Sequence, residues 1–325
     1  MSRIRFAIPK GSLEKATFDL LRRGWYDVKG ENRTYRPVLS HSEVSLKLLR
    51  PQEIPTLVAE GLHDIGISGQ DWIRETSADV EVLHNLQYGK INIIVAVPRS
   101  SKAKNLEDLL RVYARNRRVL RISTEYLNIA SEHLKSLGFY SRKYGNSDPR
   151  IITPWWKKGE NKRVKIFLSF GATEAKPPED ADAIIDVTET GTTIEQNNLR
   201  IIDTVMVSWA VLIANKAAMK DKKRREKILD TLTLIRGVVD GRSKLHIFIN
   251  VKKKNLKALL SKLPSLKNPT VSSLADGQWC SVNTVVEREA FLKLLPTLRK
   301  LAQGLVVHEP QQILPLEEIA KNDKG

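Results

Sequence analysis

Residues 181–194 read ADAIIDVTETGTTI and set an acidic side chain before a glycine flanked by threonines. The small apolar residues leading to Asp186 are typical of a short buried strand. A carboxylate there could accept hydrogen bonds from ribose hydroxyls or hold Mg²⁺. The turn at residues 190–193 offers N–H groups and hydroxyls to a phosphate. A strand followed by a helix capped by Thr192 or Thr193 explains the segment equally well.

Two cationic side chains nearer the N-terminus are candidates for binding anions. Lys10 stands at a predicted strand-to-helix turn, where Gly11 would let the backbone approach a phosphate closely. Arg50, just before Pro51, has the planar fork that clamps a phosphate with two hydrogen bonds. Taken alone, Lys10 is better explained as a solvated lysine at the start of a helix, and a surface arginine is the simple alternative for Arg50.

Two more polar segments would also follow strands. Gly66 and Gly69 would let Asp64 and Asp71 flank a tight turn, which ordinary turn and helix-cap chemistry would also explain. Tyr126 and Asn128 open a predicted helix. Because ligands of open α/β sheets bind beyond the carboxyl ends of the strands, the sequence predicts that these segments line one cleft.

Strand and helix patterns alternate through the first two thirds of the chain, which predicts an α/β fold with largely parallel sheets. We predict two lobes, with lobe I made of residues 1–100 plus 180–215 and lobe II of the inserted residues 101–179. Residues 205–214 are predicted as one apolar central strand. A cleft between two lobes is a common place for a small ligand.

A polar segment at residues 142–163, rich in Pro, Gly and Lys, is predicted as an extra loop in lobe II. It contains the pair Trp155 and Trp156. Packing of a lid onto the body of the protein explains this pair more simply than stacking on a ligand.

The C-terminal third has a different pattern. Residues 216–241 are predicted as a linker helix, and residues 242–325 as a separate domain. Its strands and helices alternate as β-α-β-β-α-β, which is the ferredoxin-like arrangement.

The formal net charge is +17, of which residues 216–325 contribute +11. The two densest basic runs, at residues 220–225 and 252–254, are not interleaved with aromatic side chains that could stack on bases. Solvated helix faces therefore explain them better than a nucleic-acid interface, and the charge favours small anionic ligands.

Several protein classes are disfavoured. The sequence has no P-loop, no dinucleotide-binding glycine fingerprint and no nucleophile elbow. Its single cysteine, Cys280, cannot form an internal disulfide, which suits a reducing cytoplasm. The longest apolar runs are too short to cross a bilayer, and residues 1–10 do not read as a signal peptide.

The polar segments, in this order, resemble the ATP phosphoribosyltransferases, the family that begins histidine biosynthesis. The resemblance covers nearly the whole chain and rests on IPKGSL at 8–13, RPQEIP at 50–55, DIGISGQD at 64–71, GATE at 171–174, the strand and turn at 182–193, residues 268–276 and Trp279. The GATE segment and the following turn resemble the family's phosphoribosyl pyrophosphate (PRPP) motif. The last two stretches resemble the regulatory domain of its long form.

The resemblance implies a two-lobed α/β catalytic region like the type II periplasmic binding proteins, followed by a ferredoxin-like (ACT-like) βαββαβ domain. It implies transfer of the 5-phosphoribosyl group of PRPP to N1 of ATP, with release of pyrophosphate and with Mg²⁺ as cofactor. Such a reaction depends on positioning two anions and stabilising the leaving group.

The resemblance also implies site residues. The catalytic residues would be Asp186, Lys10 and Arg50. PRPP would be bound by Glu174, Asp186, Thr188, Glu189, Thr190, Gly191, Thr192 and Thr193. ATP would be bound by Lys10, Gly11, Arg50, Gly69, Asp71, Tyr126 and Asn128. Mg²⁺ would be held by the substrate phosphates, with Glu174 as the candidate protein ligand.

Regulation is implied as well. L-histidine would inhibit by binding Ser273, Leu274, Ala275 and Asp276, with Asp276 accepting its amino group, and AMP is a second expected inhibitor. The family implies homo-oligomers, dimers or hexamers, and no separate regulatory subunit because the domain is part of the chain. No nucleic acid or membrane partner is expected.

Two other functions fit parts of the sequence. A non-catalytic cytosolic protein that binds or senses small anions could share the two-lobed fold, but it would not need the threonine-rich turn. A nucleic-acid binder would account for the charge and would bind duplexes with a steep dependence on salt.

Overall fold

The computed structural model describes residues 3–30, 34–40, 43–264, 269–314 and 316. Asn268, within the C-terminal signature, and residues 317–325 of the predicted regulatory domain lie outside the described residues. None of the described helices combines the length and the apolar character needed to cross a membrane.

The elements are, in chain order, β1 (Ile4–Pro9), α1 (Glu14–Arg23), β2 (Val28–Lys29), β3 (Val38–Leu39), β4 (Val44–Leu49), α2 (Ile54–Ala59), β5 (Ile65–Gly69), α3 (Gln70–Thr76), β6 (Val80–Asn85), β7 (Ile91–Pro98), α4 (Leu106–Arg115), β8 (Leu120–Thr124), α5 (Leu127–Ser136), α6 (Gly138–Tyr144), β9 (Pro149–Ile152), β10 (Lys157–Lys158), β11 (Asn161–Leu168), a 3₁₀ turn (Thr173–Ala175), β12 (Ala183–Thr188), α7 (Thr192–Gln196), β13 (Leu199–Ser208), β14 (Ala210–Asn215), α8 (Lys216–Lys220), α9 (Lys222–Arg242), β15 (Lys244–Lys252), α10 (Lys253–Leu260), β16 (Thr270–Ser273), β17 (Trp279–Glu287), α11 (Arg288–Leu301) and β18 (Ala302–His308).

The larger of two compact units comprises residues 5–14 and 46–220 and contains both lobes. Lobe I is built on a five-stranded sheet in the order β4-β1-β5-β14-β6. β1 and β5 are parallel, whereas β14 runs antiparallel to β5 and β6. Apolar side chains of α2 pack on this sheet, as the amphipathic pattern of the sequence requires.

Lobe II is built on a seven-stranded sheet in the order β10-β9-β11-β8-β12-β7-β13. The strands β9, β11, β8 and β12 are parallel neighbours. β7 runs antiparallel to β12, and the edge strand β13 runs antiparallel to β7 and so in the same direction as β12. Helices α4, α5 and α6 cover one face and share an apolar core with the strands of this sheet. The fold is therefore α/β with two lobes, as predicted.

The predicted lobe boundaries are wrong. β7 at residues 91–98, β12 at residues 183–188 and β13 at residues 199–208 all belong to the lobe II sheet, so that lobe spans residues 91–208. β7 is apolar except at Asn92, and strands flank it on both sides, β12 on one and β13 on the other. An apolar strand signals burial of both faces without signalling which sheet it enters.

The predicted single strand at residues 205–214 is two strands. β13 ends at Ser208 in lobe II, and β14 begins at Ala210 in lobe I, so Trp209 marks the passage between the sheets. The predicted linker helix at residues 216–241 is also divided. Asp221 caps the start of α9 by accepting a hydrogen bond from the N–H of Arg224 at 3.0 Å.

The predicted loop at residues 142–163 is largely regular structure. It contains the end of α6 and an antiparallel hairpin, β9–β10, in which Ile152 pairs with Lys157. β9 also pairs in parallel with β11, so the insertion extends the lobe II sheet by two edge strands.

The same arginine–aspartate pair occurs in both lobes, at the amino ends of their strands. In lobe I, Asp64 Oδ2 accepts hydrogen bonds from the N–H of Arg5 at 2.8 Å and from its Nε at 3.1 Å, and Oδ1 accepts one from Nη2 at 2.9 Å. In lobe II, Asp182 makes the same three bonds with Arg121, at 2.8, 3.2 and 2.9 Å. Both carboxylates are buried, at 3% and 6% side-chain exposure. They are therefore occupied in joining neighbouring strands.

We expect Arg121→Ala to lower the free energy of unfolding by about 2–3 kcal/mol, because the buried carboxylate of Asp182 loses its charged partner. Arg121 also donates to the carbonyls of Glu179 and Pro178, at 2.6 and 3.1 Å, so the turn before β12 loses support as well. Urea denaturation measures the change. Arg115→Ala, at an exposed arginine of α4, is the control, and an equal effect of both variants would contradict the assignment.

The smaller unit comprises residues 1–4, 15–45 and 221–325. Its sheet has the order β16-β17-β15-β18 with antiparallel pairing throughout, and α10 and α11 supply apolar side chains to its core. The element order β15-α10-β16-β17-α11-β18 confirms the predicted ferredoxin-like domain.

Candidate active site

The carboxyl ends of parallel strands meet at one edge of the lobe II sheet, which we call the carboxyl edge. β12 pairs with β8 and β8 pairs with β11, all in parallel. Asp186 lies near the end of β12, Glu125 directly follows β8, and Phe170 follows β11 by two residues. Since neighbouring strands are ~4.8 Å apart, the ends of β11 and β12 lie roughly 10 Å from each other. The edge thus gathers several polar turns.

Asp186 is half-buried and hydrogen-bonded twice. The N–H of Val187 donates to its Oδ1 at 2.7 Å, and the Thr173 hydroxyl is also bonded to it. Burial raises the pKa of Asp186, the two hydrogen bonds lower it, and the charge of Glu174 raises it. Because the net direction is upward, ionisation of Asp186 is less favourable than that of an aspartate in water, and hydroxyl donors from a ligand would stabilise the carboxylate.

The turn after β11 brings Thr173 and Glu174 to Asp186. Gly171 has φ +93°, a left-handed conformation that favours glycine. The Ser169 hydroxyl donates to the carbonyl of Gly171 at 3.0 Å and lies 3.2 Å from the Thr173 hydroxyl. These bonds fix the turn that carries Glu174, whose negative charge contributes to the raised pKa of Asp186.

Glu125 is a polar residue of this edge that the sequence analysis missed. Its pKa is raised, first by burial and then by the negative charge of Asp186, and a hydrogen bond from Gln52 lowers it in part. A Cβ on Gly171 would lie 4.0 Å from Glu125 Oε1. Its position directly after β8, in which Leu120 and Ile122 alternate with polar residues, was the signal available in the sequence. Gln52 follows Arg50 in lobe I, so this bond joins the two lobes.

The threonine-rich turn follows β12. Gly191 has φ +85° and donates its N–H to the Thr188 hydroxyl at 2.8 Å, while the hydroxyls of Thr190 and Thr192 lie 3.0 Å apart. The residue that caps α7 is Gly191, and no side chain caps the helix. The alternative interpretation of Thr192 or Thr193 as the cap is therefore wrong, and both threonines are exposed beside the first N–H groups of α7.

In lobe I, β1, β4 and β5 also end at one edge. The N–H of Lys10 donates to the carbonyl of Leu49 at 2.8 Å, which sets the turn after β1 beside the turn after β4. Gly11 has φ +100°, and a Cβ there would lie 3.9 Å from Nη1 of Arg50. The structure thus brings Lys10, Gly11 and Arg50 together, with the arginine exposed.

Asp71 and Tyr126 contact each other in the interior. The Tyr126 hydroxyl donates to Asp71 Oδ2 at 2.8 Å, and Ser208 donates to Asp71 Oδ1 at 2.6 Å. Burial, followed by the charge of Asp71, raises the pKa of Tyr126. A Cβ on Gly69 would lie 2.0 Å from Asp71 Oδ1, so glycine is required there. With exposures of 2% and 3%, Asp71 and Tyr126 join lobe I to lobe II.

Asn128, like Tyr126, lies at a contact between lobe I and lobe II. Glu75 of α3, which is buried, accepts the N–H groups of Asn128 and Ile129 at the start of α5, at 2.9 Å each, and its carbonyl accepts the Asn128 side chain at 2.7 Å. Burial raises the pKa of Glu75, and these backbone bonds lower it in part. Of the predicted ATP ligands, Asp71, Tyr126 and Asn128 thus hold the lobes together, and their binding of ATP stays a prediction.

The predicted histidine ligands lie in the hairpin between β16 and β17 of the smaller unit. Asp276 Oδ1 accepts the N–H groups of Gln278 and Trp279, at 3.1 and 3.3 Å, which fixes the turn. All four of the predicted residues are exposed: Ser273, Leu274, Ala275 and Asp276.

The described residues contain no group of three or more His, Cys, Asp or Glu side chains arranged to hold a metal ion. The donor set at the carboxyl edge is a small number of carboxylates, Glu174 and Asp186 among them. Mg²⁺ usually keeps several waters and binds through one or two carboxylates and the phosphates of a substrate. The edge fits an ion delivered in that way.

Comparison with known proteins identifies similar sequences. The family model described as "HisG: ATP phosphoribosyltransferase" matches residues 50–237, and "HisG, C-terminal domain" matches residues 242–310. An ATP phosphoribosyltransferase of Solibacter usitatus is 36% identical over 94% of this chain and 97% of its own length. One of Thermodesulfovibrio yellowstonii is 34% identical over 96% and 98%.

A solved structure is similar in fold. A chain of the "ATP phosphoribosyl transferase (HisG:HisZ) complex" from Thermotoga maritima superposes with a TM-score of 0.56 at 21% identity, over 73% of this chain and 98% of that one. At this identity the likeness concerns the fold alone, and it supports the two-lobed arrangement described above.

Proposed function

This chain belongs to the ATP phosphoribosyltransferase family, and we propose that the carboxyl edge of lobe II is where it transfers the phosphoribosyl group. The reaction joins N1 of the adenine of ATP to C1 of the ribose of PRPP and releases pyrophosphate, the first step of histidine biosynthesis. One observation carries the proposal. Asp186 and the exposed turn at residues 190–193 lie on the same strand end, within the region matched by the family.

The 5′-phosphate is bound by the turn from Thr190 to Thr193. The first N–H groups of α7 have no partners within the helix, and they carry the positive end of its dipole. Exposed hydroxyls of Thr192 and Thr193 add donors, and Gly191 lets the backbone approach. Thr188 and Glu189 shape the turn, the former by accepting the Gly191 N–H.

The ribose hydroxyls donate to Asp186, with Glu174 as the second carboxylate. A ribose held at both ends presents C1 in one orientation, which lowers the entropic part of the barrier. The raised pKa of Asp186 supports this role, because the carboxylate gains hydrogen bonds when substrate arrives.

Lys10, Gly11 and Arg50 bind the pyrophosphate of PRPP and the phosphates of ATP. As the C1–oxygen bond breaks, negative charge grows on the leaving pyrophosphate, and positioned cations stabilise it. Mg²⁺ on the pyrophosphate would supply further positive charge, with Glu174 as its candidate protein ligand. Asp71, Tyr126, Gly69 and Asn128 keep lobe I and lobe II in the arrangement that joins these two groups of residues.

Glu125 is assigned a part in the chemistry. Bond formation at N1 gives the adenine ring a positive charge, which makes the 6-amino group acidic. Glu125, beside Asp186 and with a raised pKa, accepts the proton from that amino group. The reaction thus forms the N1–C1 bond, breaks the bond between C1 and the pyrophosphate oxygen, and moves one proton from the 6-amino group to Glu125.

The C-terminal domain is proposed as the histidine sensor, with the hairpin at Ser273–Asp276 as its binding site and AMP as a second inhibitor at the catalytic lobes. A homo-oligomer in the cytoplasm, without a separate regulatory subunit, is the expected assembly. A non-catalytic anion sensor on this fold is not favoured, since the family model matches the catalytic region.

Release of pyrophosphate tests the function. Full-length protein with ATP, PRPP and Mg²⁺ is expected to release pyrophosphate and form a product absorbing as an N1-substituted adenine, and L-histidine is expected to reduce the rate. Omission of either substrate is the control. Pyrophosphate release that does not depend on ATP, or none at all, would reject the proposal.

A further inference from the structure

Two large aromatic side chains lie exposed beside each other near the carboxyl edge. Trp155 and Phe170 are 72% and 71% exposed, and their ring centroids are 5.8 Å apart at an interplanar angle of 79°. The contact between them leaves most of both rings open to solvent. Adjacent exposed aromatic rings are characteristic of a binding surface, whereas single exposed apolar side chains are common.

The exposure of Trp155 is set by an ordered turn. Thr153 accepts the N–H groups of Trp155 and Trp156 on its hydroxyl, at 3.3 and 3.0 Å, and its own N–H and hydroxyl donate to the carbonyl of Trp156, at 3.0 Å each. Strand pairing between β9 and β10 closes the hairpin below this turn. A rigid turn that holds an indole in solvent is already arranged to receive a flat ligand, with little ordering cost on binding.

The turn lies at the same edge as the proposed phosphoribosyl site. β9 is parallel to β11, so the residues after both strands project beyond the same edge, in the order β9, β11, β8, β12. Phe170 immediately precedes Gly171, whose Cβ position is 4.0 Å from the Glu125 carboxylate. The aromatic pair therefore borders Glu125 on the side away from Asp186.

The neighbouring charge favours an anionic ligand with a flat ring. Lys157 and Lys158 follow the tryptophan pair in β10, and both are exposed. A purine nucleotide combines a π-face, which stacks on aromatic side chains, with phosphates that attract ammonium groups. Phe170 borders Glu125, so a purine stacked on this ring can turn its 6-amino edge toward that carboxylate, as the proposed proton transfer requires.

We propose that Trp155 and Phe170 form the platform that binds the adenine ring of ATP, with the purine stacked on the face of one ring and in contact with the other, an assignment that rests on the proposed function. Stacking fixes the plane of the purine and so directs N1 toward the ribose held at Asp186. Because Trp155 belongs to the β9–β10 insertion, the proposal makes the insertion a determinant of purine binding.

Steady-state kinetics of Trp155→Ala in the full-length protein tests this inference. Loss of base stacking is expected to raise the KM for ATP roughly 5- to 150-fold, while the KM for PRPP stays within twofold. Trp155→Phe should restore most of the affinity, and Phe170→Ala should act in the same direction as Trp155→Ala. Tripolyphosphate, which lacks the base, should inhibit wild type and Trp155→Ala equally. Trp25→Ala removes an indole that is also 72% exposed and is the control.

The outcomes separate the two proposals. Wild-type protein without pyrophosphate release would overturn the function itself. Active wild type with an unchanged KM for ATP in Trp155→Ala would overturn the platform alone. An equal rise in both KM values, or a change in oligomeric state with the KM for ATP unchanged, would also overturn it, since the pair would then serve folding or subunit contact.

Discussion

Asp186→Asn is expected to reduce kcat by about 10²–10³, because a preorganised charged contact to the reacting sugar is lost. The amide keeps an oxygen for the N–H of Val187, which donates to Asp186 at 2.7 Å, so the local structure is retained. Steady-state turnover with ATP and PRPP measures the effect. Asp180→Asn, at an exposed carboxylate before β12, should leave kcat unchanged.

The pH dependence of stability and activity, compared between wild-type protein and Asp186→Asn, also tests the role of Asp186. The pKa of Asp186 is raised in the folded protein, so its ionised form destabilises the fold, and that cost is present above the raised pKa. The neutral asparagine removes the cost, and the variant should therefore unfold at neutral pH with an equal or larger free energy. Wild-type activity should fall as pH drops through the raised pKa, and the variant should lack that limb. A variant within threefold of wild-type kcat would reject the role of Asp186.

Arg50→Ala is expected to reduce kcat/KM for both substrates by about 10²–10³, since the arginine stabilises charge that develops on the leaving pyrophosphate. Arg50→Lys should recover only part of the rate, because an ammonium lacks the paired donors of the guanidinium. Arg50 is exposed and is not part of the apolar core, so the free energy of unfolding should change little.

A matched control for Arg50 lies in lobe II. Arg99 is also exposed, and it follows β7, which runs antiparallel to β12 and so ends at the opposite edge of the sheet. Arg99→Ala removes the same charge from the protein without touching the carboxyl edge. Equal losses of kcat/KM in Arg50→Ala and Arg99→Ala would show a general effect of net charge and contradict the assignment.

The polar ends of the strands could be predicted from sequence because each follows a short apolar run. Lys10, Arg50 and Asp186 all stand at such positions, and the structure has a strand ending at or near each of them. The C-terminal domain was also predictable, since its two central strands, β15 and β17, alternate between buried residues and residues that are at least partly exposed. These signals depend only on residues close together in the sequence, and such local periodicity determines the secondary structure.

The division into lobes could not be predicted, because it depends on which strands pair. β7 is apolar whichever sheet it joins, and the passage at Trp209 interrupts an apolar stretch without a turn residue. Contacts between residues far apart in the sequence could not be predicted either. Asp71 and Tyr126 have the polarity of ligand-binding residues, yet their partners are each other, 55 positions apart. Glu125 was overlooked because its neighbour Asp186 is distant in sequence.

A structure of the full-length protein bound to PRPP and Mg²⁺ tests the central claim most directly. A phosphoribosyl site at the carboxyl edge predicts the 5′-phosphate within hydrogen-bond distance of the N–H groups of residues 192–194. It also predicts the ribose hydroxyls on Asp186 and the pyrophosphate near Lys10 and Arg50. PRPP bound elsewhere on the chain, with the turn at residues 190–193 empty, would contradict it.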